Sequence, residues 1–233
     1  MIGLIFIILG SYSLYLVWTQ QMLFYIHPRF IDLSIFTGMF LLIVGILSIY
    51  FFTQQLRKSR LKKELLLTQV KQNWHILLLT VIIFILPKTS LTSATANQRT
   101  TNFNTLPDTP ISLTLPASTQ NLGLKEWVSL ISSAQKPELL IGKEAVITGF
   151  IFQSSVLPEG YFMVTRFRVT CCALDATPIG IPVKYQWKEK FQQDDWVKVI
   201  GTIGQETVND ETQIIIIPTS VDKISQPTDP YVY

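Results

Sequence analysis

The chain has 233 residues, of which 48% are hydrophobic and only 15% are charged. A soluble domain normally carries about 25% charged residues, so this composition excludes an ordinary single soluble domain. The charges are also unevenly distributed. Residues 1–96 hold eight Lys and Arg against Asp32 and Glu64, whereas residues 97–233 hold eleven Lys and Arg against fourteen Asp and Glu. The net charge of −3 in the second part argues against nucleic acid as a partner.

The first ninety residues predict transmembrane helices. Residues 2–26 and 33–52 are apolar or aromatic almost throughout, and each stretch is long enough to cross a hydrocarbon core of about 30 Å. Residues 74–86 form a third apolar stretch, which is short for a span unless the helix extends to residue 90. We therefore expect two or three spans. A cleaved secretory signal is a weaker alternative for the first stretch, because no charged region precedes it and Gln20-Gln21 is unlike a cleavage site.

Residues 53–73 separate the second and third apolar stretches and hold six Lys and Arg against one acid. Loops rich in positive charge stay in the cytoplasm, and leucines among these lysines suggest an amphipathic helix on membrane lipid. If residues 74–90 span, the chain is multi-pass in the plasma membrane and its C-terminal domain is extracytoplasmic. If they do not, that domain is cytoplasmic. Ala94-Thr95-Ala96 also resembles a signal cleavage site, which would release the domain.

The second part of the chain divides into three segments. Residues 91–120 are rich in Thr, Asn, Pro and Ser without periodicity, which predicts a linker. Residues 121–226 predict a soluble domain, and residues 227–233 a tail. The soluble domain begins with a short amphipathic helix, because four apolar residues share one helical face. They are Leu124, Trp127, Val128 and Ile131.

The rest of the soluble domain is a series of predicted strands. Five segments rich in β-branched and aromatic residues are separated by turn residues. They are residues 145–152, 161–171, 179–187, 195–204 and 212–224. Five strands of this length predict a small all-β, OB-like barrel. Gly149, Gly201 and Gly204 lie inside or at the ends of these strands and are interpreted as bends of the barrel wall.

The only two cysteines are adjacent, and Asp175 follows them three residues later. If the second strand stays regular, side chains alternate between its faces, so that Cys171 lies in the apolar core. The opposite face would then carry Cys172 together with Arg166 and Arg168. Two guanidinium groups would favour the thiolate form of Cys172.

Three uses of the cysteine pair are compatible with these residues. The first is simple packing, since a free cysteine behaves as a small hydrophobe. The second is binding of a thiophilic metal, Zn or Cu(I), by Cys171, Cys172 and Asp175. Because a closed zinc site needs four ligands, a partner would have to supply the rest. The third is a vicinal disulfide or redox switch, which an oxidising exterior would favour.

No other constellation predicts catalysis. The chain has no H-x-x-x-H pair, no G-x-S-x-G elbow and no glycine-rich phosphate loop. His27 and His75 lie at the predicted membrane boundaries, far in sequence from the cysteines. Asp194 and Asp195 are expected in a solvated turn. These observations predict a protein that is not an enzyme.

The segments GKEAVITGFIF and RFRVTCCALDATPIGIPV, placed after apolar stretches and a basic loop, resemble the YcgQ-like family of uncharacterised membrane proteins. The resemblance covers nearly the whole chain. It implies that Arg166, Cys171, Cys172 and Asp175 match signature positions of that family. It also implies an accessory subunit that acts with a membrane permease of the YraQ/YcgR type. It supplies no substrate and no mechanism.

Overall fold

A computed structural model shows two compact units, Met1–Thr89 and Ser90–Tyr233. The structure describes residues 2–58, 74–76, 78–85, 89–99, 122–133, 137–154, 157–186, 190–208 and 211–233.

The described residues of the N-terminal unit form three apolar helices, α1 (Ile2–Trp18), α2 (Ile31–Lys58) and α3 (Trp74–Ile85). Among the described residues, one helix is long and apolar enough to cross a membrane. This candidate span, Pro28–Gln55, consists mostly of α2. The prediction of two or three such helices is therefore corrected to one. A span takes about 20 residues, and α1 has only 17.

The early end of α1 explains why the predicted span 2–26 is not one helix. After Trp18 the polar residues Thr19 and Gln20 follow, and Gln20 adopts a left-handed conformation with φ of +59°. A separate 3-10 turn, Gln21–Phe24, comes next. The left-handed residue stops the helical hydrogen-bond ladder, because such a conformation cannot continue a right-handed helix.

Helix α2 continues to Lys58, so the predicted loop 53–73 begins as helix. The amphipathic helix predicted further along this loop lies in residues 59–73, outside the described residues. The central part of the predicted linker, residues 100–121, also lies outside them.

The C-terminal unit is a closed five-stranded barrel, consistent with an OB-like fold. All five predicted strands are confirmed. They are β1 (Glu144–Phe152), β2 (Tyr161–Arg168), β3 (Thr177–Lys184), β4 (Trp196–Val208) and β5 (Glu211–Lys223). Neighbouring strands follow the order β1-β4-β5-β3-β2, and β1 also pairs with β2 to close the barrel. The pair β3–β5 is parallel and the other four pairs are antiparallel.

The interior of the barrel is filled by alternate side chains of the strands and covered at one end by α5 (Leu124–Ser133). Trp127 of α5 is fully buried, which confirms the predicted amphipathic helix. Two glycines allow the wall to bend where strands approach closely. A Cβ at Gly149 would lie 2.6 Å from the carbonyl oxygen of Thr165, and Gly201 lies at a β-bulge.

A second hydrophobic cluster lies on the outer side of β1, β2 and β4. Its centre is Phe150, whose ring stacks on Phe167 with centroids 5.7 Å apart. Helix α4 (Ser93–Arg99) and the short strand β6 (Tyr231–Val232) cover this cluster, and β6 pairs in parallel with β2. Residues 91–99 and 231–232 therefore belong to the barrel unit, although the sequence predicted a linker and a tail there.

Helix α4 is held in place by the turn that the sequence predicted to be solvated. The carboxylate of Asp194 accepts hydrogen bonds from the backbone N–H of Ser93 (2.7 Å) and from its hydroxyl (2.8 Å). Asp195 forms an ion pair of 2.7 Å with Lys223. Ala96 in the middle of α4 is fully buried. Both acids thus have structural partners, and one of them caps a helix that begins about a hundred residues earlier in the chain.

Candidate functional site

The adjacent cysteines lie in the connection between β2 and β3, residues 169–176, which we call the dithiol loop. Strand β2 ends at Arg168, and Val169 is buried with its N–H donated to the carbonyl oxygen of Val232 (2.9 Å). A single 3-10 turn, Ala173–Asp175, then reverses the chain toward β3. The cysteines therefore stand at the start of a tight turn and not within a regular strand.

Asp175 closes this turn with its side chain. One carboxylate oxygen accepts the N–H of Cys171 (2.7 Å) and the other accepts the N–H of Thr170 (3.2 Å). The N–H of Asp175 donates to the carbonyl oxygen of Cys172 (3.0 Å). Burial alone would raise the pKa of Asp175, but hydrogen bonds from the Cys171 thiol and from these backbone N–H groups lower it. The carboxylate thus stays ionised and its oxygens are already engaged within the loop.

Arg99 holds the far side of the dithiol loop. Its guanidinium donates to the carbonyl oxygens of Ala173 (3.0 Å) and Ala176 (2.8 Å), so α4 is tied to the loop as well as to the barrel. No pattern in the sequence indicated this contact, because more than seventy residues separate Arg99 from the cysteines. No local periodicity records a contact at that distance.

Both thiols are free, and their sulfur atoms are 3.7 Å apart. Cys171 is exposed and Cys172 is half-buried. The prediction that Cys171 lies in the core is therefore wrong, because β2 ends three residues earlier and the turn closed by Asp175 redirects the chain. Hydrogen bonds to Asp175 and then to Cys172 raise the pKa of Cys171 to about 11. At neutral pH this thiol is protonated.

Arg166 serves another part of the barrel unit than the sequence predicted. Its guanidinium donates to the carbonyl oxygens of Pro230 (3.1 Å) and Asp229, and it lies over the ring of Trp196 at 5.6 Å. Burial lowers the pKa of Arg166. The side chain thus fastens the segment that leads into β6. The expectation that it activates Cys172 lacks support from this geometry.

The predicted metal ligands come together only in part. Cys171, Cys172 and Asp175 share one loop, but among the described residues no group of three or more His, Cys, Asp or Glu side chains could hold a metal ion. The oxygens of Asp175 instead accept backbone N–H groups. What the loop itself offers is a pair of neighbouring thiols. A closed zinc site would need further ligands from elsewhere.

Comparison with known proteins identifies two domains of one family. Residues 1–102 match the DUF1980 N-terminal domain, and residues 120–233 match the DUF1980 C-terminal domain. No curated protein matches the chain. Neither domain description names an activity, a ligand or a partner, so the YcgQ-like resemblance and its permease stay predictions. The two matches together span nearly the whole sequence, and the chain therefore belongs to the DUF1980 family, which is uncharacterised.

Proposed function

We propose that the chain is a non-enzymatic accessory subunit of a membrane permease complex, with its OB-like barrel on the extracytoplasmic side. The observation that supports it most is the packing of the N-terminal helices. They contact one another through glycines and leave large apolar side chains on their outer faces. Such a unit suits a bilayer and a helical membrane partner better than water.

Helices α1 and α2 are antiparallel and meet at two pairs of glycines. A Cβ at Gly3 would lie 2.8 Å from the carbonyl oxygen of Gly45, and a Cβ at Gly10 would lie 2.7 Å from that of Gly38. Small residues at an interface let two backbones approach, which is typical of helix pairs in membranes. We therefore propose that α1, whose 17 residues lie at the short end of the range of roughly 17–25 for a span, crosses the membrane with α2 as a hairpin.

Helix α3 packs beside α1 in the same unit. The hydroxyl of Tyr12 donates to the carbonyl oxygen of Ile83 (3.5 Å), and the rings of Tyr12 and Phe84 are 4.3 Å apart. We propose that the third predicted span, residues 74–90, also crosses the membrane. The basic residues that follow α2 would then be cytoplasmic and the barrel outside.

The topology can be tested by labelling with a membrane-impermeant maleimide in intact cells. Cys171 is exposed and gives a direct readout. The Cys171 thiol is mostly protonated and reacts slowly, so a second labelling position is needed. Lys198→Cys in a cysteine-free background provides it, because Lys198 is exposed on β4. Labelling of both before lysis supports the extracytoplasmic barrel. Labelling only after lysis, together with an inactive C-terminal phosphatase fusion, contradicts it.

The permease partner can be tested by co-purification from the native membrane. A permease of the YraQ/YcgR type should travel with the tagged chain. Phe36 and Phe40 are exposed on α2, so F36A/F40A should weaken the capture if a partner helix covers them. Leu16→Ala, in the buried part of α1, is the matched control for loss of packing alone. Absence of any permease from the purified material would contradict the proposal.

The second candidate function is a membrane-tethered thiol module that binds a soft metal or senses redox state. The observation in its favour is the pair of free thiols 3.7 Å apart on a loop held by Asp175 and Arg99. Titration of the full-length protein with Zn or Cu(I) tests metal binding. Stoichiometric binding that is lost in Cys172→Ser supports it, and no binding at micromolar metal counts against it.

We expect no nucleic-acid partner. The outer faces of β1 and β2 are covered by α4 and β6, and OB barrels that bind oligonucleotides use an open face of the sheet. The net charge of −3 in residues 97–233 also argues against nucleic-acid binding, because contacts with phosphate groups need a basic surface.

A further inference from the structure

We propose that Cys171 and Cys172 form a thiol–disulfide exchange site, which a disulfide-bearing partner oxidises to a reversible vicinal disulfide. The inference rests on the second candidate function, because it assigns a chemistry to the same two thiols. Its basis is geometric: the thiols are free, neighbouring and accessible, and the loop that carries them is fixed on both sides.

The ligands available in the dithiol loop favour redox chemistry over a closed zinc site. Asp175 uses both carboxylate oxygens for the N–H groups of Thr170 and Cys171. In the part of the chain that the structure describes, no third metal-ligating side chain joins the two thiols. A disulfide needs only the two sulfur atoms.

The sulfur atoms already lie on the same side of the turn. Their separation is 3.7 Å, and bond formation must shorten it to about 2.05 Å. The two cysteines are joined by a trans peptide bond, which places their Cα atoms about 3.8 Å apart. Most disulfides have Cα atoms roughly 4.4–6.8 Å apart, so this one would be strained. Strained and exposed disulfides are the readily reduced ones, which suits a switch.

The surroundings of the pair suit contact with a partner. Asp175 holds the N-terminal side of the turn and Arg99 holds its C-terminal side. Between them Leu174 is 87% exposed. A fixed loop with an apolar residue beside two thiols offers a docking point for a second disulfide-bearing molecule, without a large rearrangement of the chain.

The exchange balances in two steps. One of the two thiols, as its thiolate, attacks a sulfur of the partner disulfide, forms a mixed disulfide and releases one partner thiolate. The second cysteine loses its proton, attacks the first cysteine's sulfur and releases the other partner thiolate. Two protons pass to the two leaving thiolates. Cys171 and Cys172 are thereby oxidised, and the partner disulfide is reduced to two thiols.

The test uses the reduced full-length protein in detergent, equilibrated with mixtures of reduced and oxidised glutathione and measured by intact-mass spectrometry. The wild type should lose two hydrogen atoms without gaining glutathione or dimerising, and dithiothreitol should reverse the change. Cys171→Ser and Cys172→Ser are matched controls. Each keeps a single cysteine and cannot form the vicinal disulfide, so each should stop at the glutathione adduct.

A wild type that stays reduced in the most oxidising mixture, or that only dimerises, would overturn the proposal. Metal titration separates this failure from that of the candidate function. If the protein binds Zn or Cu(I) but is not oxidised, only the exchange site is contradicted. If it neither binds metal nor is oxidised, both the exchange site and the second candidate function are contradicted. An oxidised thiol oxidoreductase of the DsbA type, which is a strong enough oxidant for a strained disulfide, serves as a second probe of the disulfide source. Faster oxidation by this protein supports a protein partner, and faster oxidation by glutathione supports a small one.

Discussion

At the scale of single residues, Asp175 sets both the shape and the chemistry of the dithiol loop. Its carboxylate accepts two backbone N–H groups and a hydrogen bond from the Cys171 thiol. The same charge that stabilises the turn therefore disfavours a second negative charge on Cys171. The Cys171 thiol is consequently less acidic than that of an ordinary cysteine, and therefore less reactive than its exposure suggests.

This arrangement predicts the pH dependence of Cys171 alkylation. In Cys172→Ser, the rate at which iodoacetamide alkylates Cys171 should rise with pH. It should reach half its maximum between pH 9 and the pKa of about 11, because Asp175, the largest cause of the raised pKa, is still present whereas Cys172 is not. Asp175→Asn removes the charge and should move the midpoint down toward 9.0, the ordinary value. Alkylation with the same midpoint in both proteins would contradict this.

At the scale of secondary-structure elements, α4 connects the barrel with the dithiol loop. Asp194 caps its first residue, Ala96 fills the second hydrophobic cluster, and Arg99 donates to two carbonyl oxygens of the loop. A helix of seven residues is too short to be stable alone in water. Tertiary contacts therefore hold α4, and their loss should be felt at the thiols.

Asp194→Ala should destabilise the barrel unit. It removes the acceptor for the N–H of Ser93, and a lost cap costs about 0.5–2 kcal/mol. It also places alanine at a left-handed position, since Asp194 has φ of +69°, at a cost of about 1–2 kcal/mol. Thermal unfolding and hydrogen exchange of α4 measure the effect. Asp194→Asn tolerates that conformation and keeps an acceptor, so a loss as large as that in alanine would contradict the assignment.

The contact between α1 and α2 gives a prediction in the N-terminal unit. Gly10→Leu should separate the two helices, because a Cβ there would lie 2.7 Å from the carbonyl oxygen of Gly38. Cross-linking of Ser13→Cys to Ser34→Cys in a cysteine-free background reports the contact, since the Ser13 hydroxyl lies 3.4 Å from the Ser34 carbonyl oxygen. Cross-linking should fall sharply.

The matched control for this prediction is Ser11→Leu, which adds a similar side chain at an exposed position of α1. Cross-linking should persist there. Equal cross-linking in Gly10→Leu would mean that glycine is not required at the helix contact.

At the scale of the whole molecule, the boundary of the C-terminal unit differs from that of the C-terminal family domain. The unit begins at Ser90, whereas the family domain begins at residue 120. The thirty residues between them include α4, which covers the second hydrophobic cluster. A fragment that starts at the family boundary would leave aromatic side chains on the outer barrel face exposed to water.

We therefore expect fragment 90–233 to unfold at a higher temperature than fragment 120–233. Each kcal/mol of lost packing lowers the midpoint by about 2–8 °C in a domain of this size. Arg99→Ala in the longer fragment separates the contribution of the loop contact from that of the covered cluster. Equal midpoints for the two fragments would show that α4 adds nothing to the stability of the barrel.

The sequence alone determined the features that repeat along the chain. Alternating β-branched and aromatic residues predicted all five barrel strands, and the spacing from Leu124 to Ile131 predicted α5, because each pattern reflects which side chains face one core. It also predicted an apolar N-terminal unit. The number of membrane-length helices was overestimated, since the polar residues Thr19 and Gln20 interrupt a stretch that composition alone treats as continuous.

Only the tertiary structure decided how the candidate site is built. The contacts of Arg99 with the dithiol loop, of Asp194 with Ser93 and of Arg166 with the segment before β6 join residues 63 to 101 positions apart. Such pairs leave no periodic signal in the sequence, because a contact between residues so far apart imposes no regular spacing on the residues between them. The exposure of Cys171 has the same origin: Asp175 turns the chain where alternation predicted a continued strand.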